Sequence, residues 1–388
     1  MGTIIFLIAF AAGFITTLFY YDRELVGDEQ NYHELAQGLL KNNFYGFPGE
    51  RARRAPLYPM ALSVFYLFGG SSTAVGYVLQ NILGALMVLL AFLIVSKIHS
   101  RLAGIVAAVF VMLESYWWLN QVELMQENIC AVLICFSLLL VLKERYCLSG
   151  IVLGFSILAK PMLLPLIVVL WLLYVFSKNK KHILKPLVLF SLCFMLPVFL
   201  WSVRNKVVLG SWIVVSSHST YDIYVSNRRE LRQSRKGLYI KPEHLISPTL
   251  DYLKSEPNKR EVASYDYWKE KAIDEVKHIG VLGMSQIVFW KVVKFFSPSV
   301  FFEADTIVLK IFKGVLILLN SMLLLGFFFS IIKKKPYYWL ALVLVLSMVI
   351  TVMVVWGSIR FRYVLHPVIA LWSATTFVDY LKSRKYVV

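Results

Sequence analysis

The chain is organised around a polar stretch that follows its first apolar segment. That stretch reads Val26-Gly-Asp-Glu-Gln-Asn-Tyr-His-Glu-Leu-Ala-Gln-Gly-Leu-Leu40, and a basic block, Arg51-Ala-Arg-Arg-Ala-Pro-Leu-Tyr-Pro59, comes shortly after it. Acidic, basic and aromatic residues crowd together here, in a chain that is otherwise mostly apolar. Because ionisable groups beside lipid are costly, this concentration is where we expect the chemistry.

The spacing of apolar residues predicts an amphipathic helix that begins near Asp28. Its apolar stripe, at i, i+3, i+4, i+7 and i+8, consists of Tyr32, Leu35, Ala36, Leu39 and Leu40. Such a helix lies on the membrane surface and holds Asp28 and Glu29 in its first turn, where the arginines of the basic block can fold back toward them. Two readings of Asp28 stay open, a catalytic carboxylate beside a cationic phosphate seat and a simple helix cap.

Composition places the chain among polytopic, all-α membrane proteins. Of its 388 residues 59% are hydrophobic and only 16% are charged, and the mean hydropathy is +0.67. The net charge of +17 comes from short Lys and Arg clusters between apolar runs. That distribution is typical of an orientation signal, so we expect no nucleic-acid partner. The four scattered cysteines are interpreted as small buried hydrophobes.

A spanning helix needs ~20 mostly apolar residues. On that criterion the sequence predicts about ten transmembrane segments, the first of them an uncleaved span. They are roughly 3–20, 73–96, 102–119, 122–142, 148–159, 161–176, 184–203, 308–331, 337–356 and 363–381.

The fifth and sixth segments are short, and one long helix kinked at Lys160-Pro161 is the alternative to two. With two segments, the basic clusters near residues 97–101, 143–145, 178–185, 333–335 and 382–385 all fall on one side, which is then cytoplasmic. With one segment they divide between the two sides. We therefore predict a hairpin, with both chain ends in the cytoplasm.

Three regions follow from this topology. Residues 1–203 form an N-terminal transmembrane module whose first outside loop, 21–72, carries the active site and a second interfacial helix over 56–68. Residues 204–307 form a small extracytoplasmic domain, and 308–388 contain the C-terminal transmembrane helices. Within 287–296, lysines alternate with aromatic and branched residues, a pattern suited to lysines that snorkel at a headgroup surface.

Ionisable residues outside the basic clusters are the site candidates, and the topology gathers them at the non-cytoplasmic end. They are Asp28, Glu29, Arg51, Arg53, Arg54, Glu123, Glu127, Lys160, Arg204, Arg360 and Arg362. Each of the acidic pair Glu123 and Glu127 can also be read as complementing a helix dipole, and Lys160 as a snorkelling turn residue. The outside arginines oppose the positive-inside trend, and anion binding explains them better.

No metal site is predicted. A divalent metal is possible but not indicated. Ligands could come from Asp28, Glu29 and His33, or from His218 and Asp222, but neither set has a known ligand signature. No Gly-rich phosphate loop or dinucleotide fingerprint occurs, so we expect no soluble nucleotide donor and no required cofactor.

Taken in order, several of these motifs resemble the GT-C membrane glycosyltransferases that use polyprenyl-phosphate sugars, in particular the protein O-mannosyltransferase and aminoarabinose transferase group (glycosyltransferase family 39-like). The resemblance rests on Asp28-Glu29 with Tyr32 and Ala36, Arg54-Ala-Pro-Leu-Tyr-Pro59, Glu127, the segment 154–161, Arg204-Asn205, and Arg362 before His366-Pro367. The first-loop motifs are the most specific of these, and the others carry weight through their order.

The resemblance implies a GT-C-type helical bundle and inverting transfer of a hexose or pentose from a polyprenyl-phosphate donor. Asp28 matches the catalytic acidic residue, and Glu29 and Glu127 are the further acidic candidates. The donor phosphate would be held by Arg54, with Arg53, Lys160, Arg204, Arg360 and Arg362 as further candidates. Substrate contacts are expected from Tyr32, Tyr58, Glu123 and His218. Which of Arg51, Arg53 and Arg54 meets the phosphate stays open.

The expected partners are the lipid-linked donor, the lipid bilayer and an acceptor that is lipid A, an envelope glycan or a protein. The expected location is a bacterial or archaeal cytoplasmic (inner) membrane, with the site facing the periplasm or outside. Two other functions stay open, a transporter or flippase of a lipid-linked sugar and an envelope polysaccharide polymerase or ligase.

Overall fold

The structure is a computed structural model that describes residues 1–20, 22–42, 45–47, 50–177, 180–228, 260–298 and 307–385. The described residues form helices joined by turns. The helices are α1 Gly2–Tyr20, α2 Asp28–Asn42, α3 Leu57–Gly69, α4 Thr73–Ile98, α5 Arg101–Met112, α6 Ser115–Leu119, α7 Glu127–Val141, α8 Tyr146–Ala159, a 3₁₀ turn Pro161–Leu163, α9 Leu166–Val175, α10 Lys180–Leu209, α11 Ser219–Ser226, α12 Arg260–Phe295, α13 Ile307–Ile332, α14 Tyr338–Val354, α15 Ile359–Tyr363 and α16 His366–Lys385.

Each of the ten predicted apolar segments contains a helix, which confirms the all-α prediction and the order of the segments among the described residues. Segment 102–119 is divided between α5 and α6, and segment 122–142 becomes helical only at Glu127. Within the described ranges, four helices, α1, α4, α10 and α13, are long and apolar enough to cross a membrane, or five if the bent pair α8 and α9 counts as one span. The remaining apolar helices are shorter. The chain is a multi-pass membrane protein in which the long α4 lies at the centre, packed against α1, α5, α7 and α16.

The two interfacial helices predicted in the first loop are α2 and α3, which pack against each other. The predicted stripe of α2 faces inward: Tyr32, Leu35 and Ala36 are buried in the core cluster, and Leu39 and Leu40 pack against its edge. The amphipathic spacing therefore did identify the face that packs, and this packing fixes where Asp28 points.

The chain reverses at Lys160, as the two-segment reading predicted. Pro161 ends α8, and the axes of α8 and α9 differ by 115°. Gly150 lies against Phe190 and Gly154 lies against Phe194. Since residue numbers rise together along both helices, α8 and α10 run parallel. The chain must return across the bundle between the end of α8 and the start of a parallel α10, and α9 makes that return.

The parallel contact gathers two groups of residues at opposite ends of the bundle. One end, called here the site end, carries the first loop, the 113–126 connection, Lys160 and α15. The other, called here the basic end, carries Lys97, Lys143, Arg145, Lys181 and Lys335, because contacts at Leu142 and Asp379 and the shared cavity join the segments that bear them. The separation that the sequence predicted is confirmed.

The predicted domain 204–307 is only partly visible, because 229–259 and 299–306 lie outside the described residues. In the described part, α11 packs on α12, which bends at Gly280. The snorkelling prediction is wrong for Lys291. Its side chain is 2% exposed and its Nζ donates to Asn227 Oδ1 at 2.7 Å and to the Met353 carbonyl, since this face of α12 packs on the carboxyl end of α14.

The α8 and α10 contact predicts a matched pair of substitutions. A Cβ at Gly154 would come within 2.4 Å of the Phe194 carbonyl oxygen, whereas a Cβ at Gly314 on α13 has nothing within 4 Å. We expect Gly154→Ala to destabilise the detergent-solubilised protein by about 1–3 kcal/mol through overpacking. Gly314→Ala should leave thermal unfolding unchanged or raise the midpoint, because alanine is the better helix former. Equal stability of the two variants would contradict the close parallel packing.

Candidate active site

Five side chains from five segments form one chain of ion pairs at the site end. Arg54 Nη2 lies 2.8 Å from Asp28 Oδ1, and Arg360 Nη1 lies 3.3 Å from Asp28 Oδ2. Arg360 Nε lies 2.5 Å from Glu127 Oε1, which also accepts from Lys160 Nζ at 2.7 Å. We call this set, Arg54–Asp28–Arg360–Glu127–Lys160, the charge chain. With three cations and two carboxylates, 3 − 2 leaves one positive charge.

Helix boundaries place every member of the charge chain. Asp28 is the first residue of α2 and Glu127 the first residue of α7. Lys160 follows the last residue of α8 in an extended conformation, which is the backbone state preferred before proline. Arg360 lies in the short helix α15, and Arg54 lies just before α3. Side chains at helix ends lie beyond the packed helix surfaces, so side chains from different helices can contact one another there.

Exposure of the charge chain is graded. The side chain of Glu127 is fully buried and that of Lys160 is 7% exposed, whereas Asp28 is 30% exposed. Two side-chain atoms of the charge chain, Glu127 Oε2 and Arg54 Nε, are buried and have no hydrogen-bond partner among the described residues. Buried polar atoms are normally paired, so these two mark positions where a ligand would satisfy the site. The Asp28 end is open to a substrate, and the Glu127 end anchors it.

The charges on the exposed members are stabilised by one another. Burial alone would raise the pKa of Asp28, but Arg54 and Arg360 outweigh it and hold that pKa below its usual value. Burial alone would lower the pKa of Arg360, but Glu127 and Asp28 raise it, so the guanidinium stays charged. Burial raises the pKa of the Tyr32 hydroxyl, which stays a neutral donor one helical turn beyond Asp28.

The other acidic candidates lie outside the charge chain. Glu29 turns the opposite way and pairs with Arg23 at 2.5 Å. Arg23 also donates to the Val122 carbonyl and so fixes the loop that precedes α7. In that loop, burial raises the pKa of Glu123 to about 7. Sequence reasoning missed Arg23, whose position directly after the first span was the available signal.

The two tyrosine candidates form the apolar floor under Asp28. The rings of Tyr32 and Tyr58 meet edge to face with centroids 5.3 Å apart, and both are buried. The Tyr58 hydroxyl accepts from Gln80 at 2.8 Å. Gln80 in turn accepts from Asn128, which accepts from the Tyr363 hydroxyl. This buried amide network ties α3, α4, α7 and α15 together beneath the site.

The segment that carries Arg54 is braced by the large loop. Glu261 on α12 accepts from the backbone N–H groups of Arg51 and Ala52 and from the Ser217 hydroxyl at 2.6 Å. Ser216 donates to the Arg53 carbonyl at 2.5 Å. Glu261 lies about 200 residues away in sequence, so no local pattern could have indicated this contact. Arg53 itself pairs with Glu50 at 2.8 Å, on the exposed side of the segment.

Two predicted phosphate ligands have other contacts. Arg204 donates to the carbonyls of Arg51 and Tyr45 and stacks on Trp201 at 4.7 Å, which holds the first loop in place. Arg362 is 2% exposed, lies 4.0 Å from the buried Glu114 and donates to the Ser297 carbonyl. The structure does not bring either guanidinium into the charge chain.

His218 and Asp222 lie near the charge chain without an ion pair to any of its members, and the residues raised as metal ligands do not converge. His218 lies 3.8 Å from Asp222 at the start of α11, and burial with nearby Arg54 and Arg53 lowers its pKa to about 3. His33 hydrogen-bonds to the Tyr66 hydroxyl at 2.6 Å, away from Asp28. Among the residues that the structure describes, no three His, Cys, Asp or Glu side chains converge as a metal site.

Comparisons by sequence find nothing: no protein-family model and no curated protein matches the chain. Comparison by structure does find similar folds. The archaeal oligosaccharyltransferase AglB from Archaeoglobus fulgidus, in complex with an inhibitory peptide and a dolichol-phosphate, aligns with a TM-score of 0.55 at 15% identity over 100% of this chain and 51% of that one. The same enzyme tethered to an acceptor peptide gives a TM-score of 0.56 at 14% identity over 98% and 50% of the two chains.

ArnT from Cupriavidus metallidurans bound to undecaprenyl phosphate covers 97% of this chain and 77% of that chain at 12% identity, with a TM-score of 0.44. The oligosaccharyltransferase shows the stronger likeness of fold, and this chain spans about half of its length. That likeness confirms the architecture predicted from the sequence: the chain has a GT-C-type fold, an all-helical membrane bundle.

Proposed function

We propose that the protein is an inverting glycosyltransferase that moves a sugar from a polyprenyl-phosphate donor to a hydroxyl or phosphate acceptor. The observation that carries the proposal is the charge chain. It joins an accessible carboxylate to guanidinium groups and leaves one positive charge at the mouth of a membrane bundle. A reaction with an acidic leaving group and a hydroxyl nucleophile needs these two chemistries together.

The donor phosphate would bind Arg54 and Arg360, with Lys160 supplying further positive charge. Arginine suits this role because it can hold phosphate through two parallel hydrogen bonds and keeps its charge when partly desolvated. The unpaired Nε of Arg54 gives one free donor for it. The oligosaccharyltransferase that shares this fold has been observed with a dolichol-phosphate, which supports a lipid phosphate ligand here.

Asp28 would act as the base. In the transfer, the acceptor hydroxyl gives its proton to the Asp28 carboxylate as its oxygen bonds to the anomeric carbon. The bond from that carbon to the donor phosphate breaks, and the lipid phosphate leaves with the electron pair, so the configuration inverts. Asp28 paired with two arginines is a weak base. Donor phosphate would compete for those guanidinium groups and so raise the basicity of Asp28 when the donor is bound.

Orientation follows from the two ends of the bundle. The basic end carries the Lys and Arg clusters that the positive-inside rule assigns to the cytoplasm, which would face the site end outward. The proposed location is the cytoplasmic membrane of a bacterium or archaeon. The acceptor would be lipid A, another envelope glycan or a protein, and the sugar a hexose or pentose.

The position of the charge chain favours transfer over transport. A carrier of a lipid-linked anion would need cationic side chains along a path between the two faces. Here the members of the charge chain lie at one end, and the side chains around α4 below it are mostly apolar and buried. A polysaccharide polymerase or ligase would use the same arginines but does not call for the carboxylate at the start of α2.

The direct test compares cells with and without the protein. Lipid extracts and envelope glycans are analysed by mass spectrometry. We expect cells that lack the protein to accumulate a polyprenyl-phosphate sugar and to lose one sugar decoration. Accumulation of that lipid on the cytoplasmic face alone, with none of it on the outer face, would instead identify a flippase.

Asp28→Asn should abolish sugar transfer and reproduce the lipid and glycan profile of cells that lack the protein, because the amide cannot take the proton. The matched control is Asp22→Asn, which changes an exposed aspartate six residues earlier. Both variants should reach the membrane in wild-type amounts. Normal decoration by Asp28→Asn would remove this carboxylate from the mechanism.

Arg54→Ala should weaken donor binding, with a rise of tenfold or more in the apparent KM for the lipid-linked donor and a smaller change for the acceptor, measured in isolated membranes. Losing a charge-assisted hydrogen bond typically costs about 1.5–3 kcal/mol. Arg101→Ala at the basic end serves as the control. If only the acceptor KM changes, Arg54 does not hold the donor phosphate.

The pH profile gives a separate prediction. The two arginines lower the pKa of Asp28, so the carboxylate is ionised at lower pH than an ordinary aspartate and the acid limb of the transfer rate lies correspondingly low. Removing one of the two cations, as in Arg54→Met, raises the pKa of Asp28 and should move the acid limb to higher pH. A limb that does not move would mean that another group titrates.

A further inference from the structure

A cavity of about 350 Å³ lies among α7, α8, α9, α10 and α14, and its lining residues are all different from those of the charge chain. Its walls are mostly apolar and include Ile134, Leu153, Leu170 and Leu344. Pockets that hold small ligands typically have volumes of about 300–1,000 Å³ and mainly apolar walls. The cavity is therefore large enough to accept a ligand, and nothing in the proposed reaction uses it.

Most of the polar residues of the cavity lie at its basic end; the exception is Ser137, which lies inside α7 and is hydrogen-bonded to Ser149. Glu144, Tyr146, His182 and Tyr337 all occur where helices begin or end on that side. Tyr146 begins α8 and Lys160 follows its end, so at about 1.5 Å per residue the two are separated by roughly 21 Å. The cavity thus opens toward the face opposite the charge chain.

Buried side chains fill the helix turns between the cavity and the charge chain. Cys130, Ile157 and Leu163 are each at most 1% exposed, and they occupy the turns of α7, α8 and the 3₁₀ segment nearest Lys160. A ligand whose phosphate lies at Arg54 and Arg360 would have to pass this packed layer to reach the cavity. A ligand whose headgroup lies at the basic end would enter directly.

Exposed cations surround the polar residues. Lys143 and Arg145 flank Glu144, while Lys181 and Lys185 flank His182 by one and three residues, and all four are exposed. These four cations outnumber the one carboxylate, that of Glu144, so the rim of the cavity is strongly positive. Basic pockets between transmembrane helices on the cytoplasmic side are suited to anionic lipid headgroups.

The molecules around the protein are the candidates to fill the apolar part of the cavity. At this depth the neighbouring molecules are lipids, and an empty apolar cavity would forfeit dispersion contacts on all its walls. An acyl chain restores those contacts, and Tyr146, Tyr337 and Trp339 at the rim provide the amphipathic rings that sit at headgroup level.

We propose that this cavity binds one acyl chain of an anionic phospholipid, with the lipid phosphate held at the basic rim formed by Arg145, Lys181, His182 and Lys185. The site is separate from the proposed sugar-transfer site and does not depend on the identity of that reaction. The bound lipid fills the space beside α9 and α14, both of which line the cavity.

The test uses the full-length protein in nanodiscs that contain phosphatidylglycerol with a photoreactive diazirine on one acyl chain. After irradiation, labelled peptides are identified by mass spectrometry. We expect labelling of α9 and α14 at cavity residues such as Leu170 and Leu344, several-fold above that given by phosphatidylcholine with the same chain.

Two sets of variants separate chain binding from headgroup binding. Leu153→Trp should fill the cavity and reduce its labelling several-fold, whereas Leu172→Trp, on the outward face of α9 where Leu172 is 54% exposed, should not. Should Leu153→Trp fail to fold, Leu344→Phe provides the same block. The double variant Lys181→Gln with Lys185→Gln should remove the preference for phosphatidylglycerol, while Arg101→Gln with Lys382→Gln should retain it.

Three outcomes would overturn the proposal. Labels confined to outward-facing residues such as Leu172 and Leu192 would mean that no chain enters the cavity. Equal labelling by phosphatidylcholine would remove the role of the basic rim. Displacement of the label by a polyprenyl phosphate, but not by unlabelled phosphatidylglycerol, would assign the cavity to the donor lipid instead.

Discussion

The arrangement of the site end depends on the ion pairs of Arg360. Its guanidinium lies between Asp28 on the first loop and Glu127 at the start of α7, and it is carried by the short helix α15 near the end of the chain. Three segments that are far apart in sequence are thus joined through one side chain. Because Glu127 is fully buried, an unpaired charge there would be costly, so Glu127 and Lys160 hold Arg360 in place and Arg360 holds Asp28.

In this arrangement the basicity of the Asp28 carboxylate depends on what else binds its two arginines. Paired with two arginines, Asp28 is stabilised as an anion and is a poor proton acceptor. Under the proposed function, a donor phosphate would offer those arginines a second anion, and the surplus positive charge of the charge chain would favour its entry. The same ion pairs that order the empty site would therefore be partly replaced by ligand contacts when the donor binds, and that exchange ties the basicity of Asp28 to the presence of the donor.

The reversal at Lys160-Pro161 has consequences at both ends of the bundle. It ends α8 where Lys160 can reach Glu127, and it sends α9 back so that α10 can run parallel to α8. The close contact at Gly150 and Gly154 then leaves α9 at the side of the pair, where it becomes one wall of the apolar cavity. The reversal at this proline thus places a site cation and brings α9 to the wall of the apolar cavity.

The sequence by itself determined the class of protein, the ten helical segments, the reversal at Pro161 and the end of the bundle where the ionisable residues gather. These features follow from local properties: apolar length, the period of an amphipathic stripe, the chemistry of proline and the placement of Lys and Arg clusters. Asp28, Arg54, Glu127, Lys160 and Arg360 could be named as candidates for the same reason, because an ionisable residue beside lipid stands out in a mostly apolar chain.

Only the tertiary structure decided which of those candidates meet. Arg204 and Arg362 have the same residue type and a similar sequence context as Arg360, yet one holds backbone carbonyls of the first loop and the other is buried beside Glu114. Glu29 adjoins Asp28 but turns to Arg23, since neighbouring residues of a helix point about 100° apart. The bracing by Glu261 and the apolar cavity had no sequence signal at all. Side-chain direction and contacts between distant segments depend on how the helices pack, and a single sequence does not encode that packing in any local pattern.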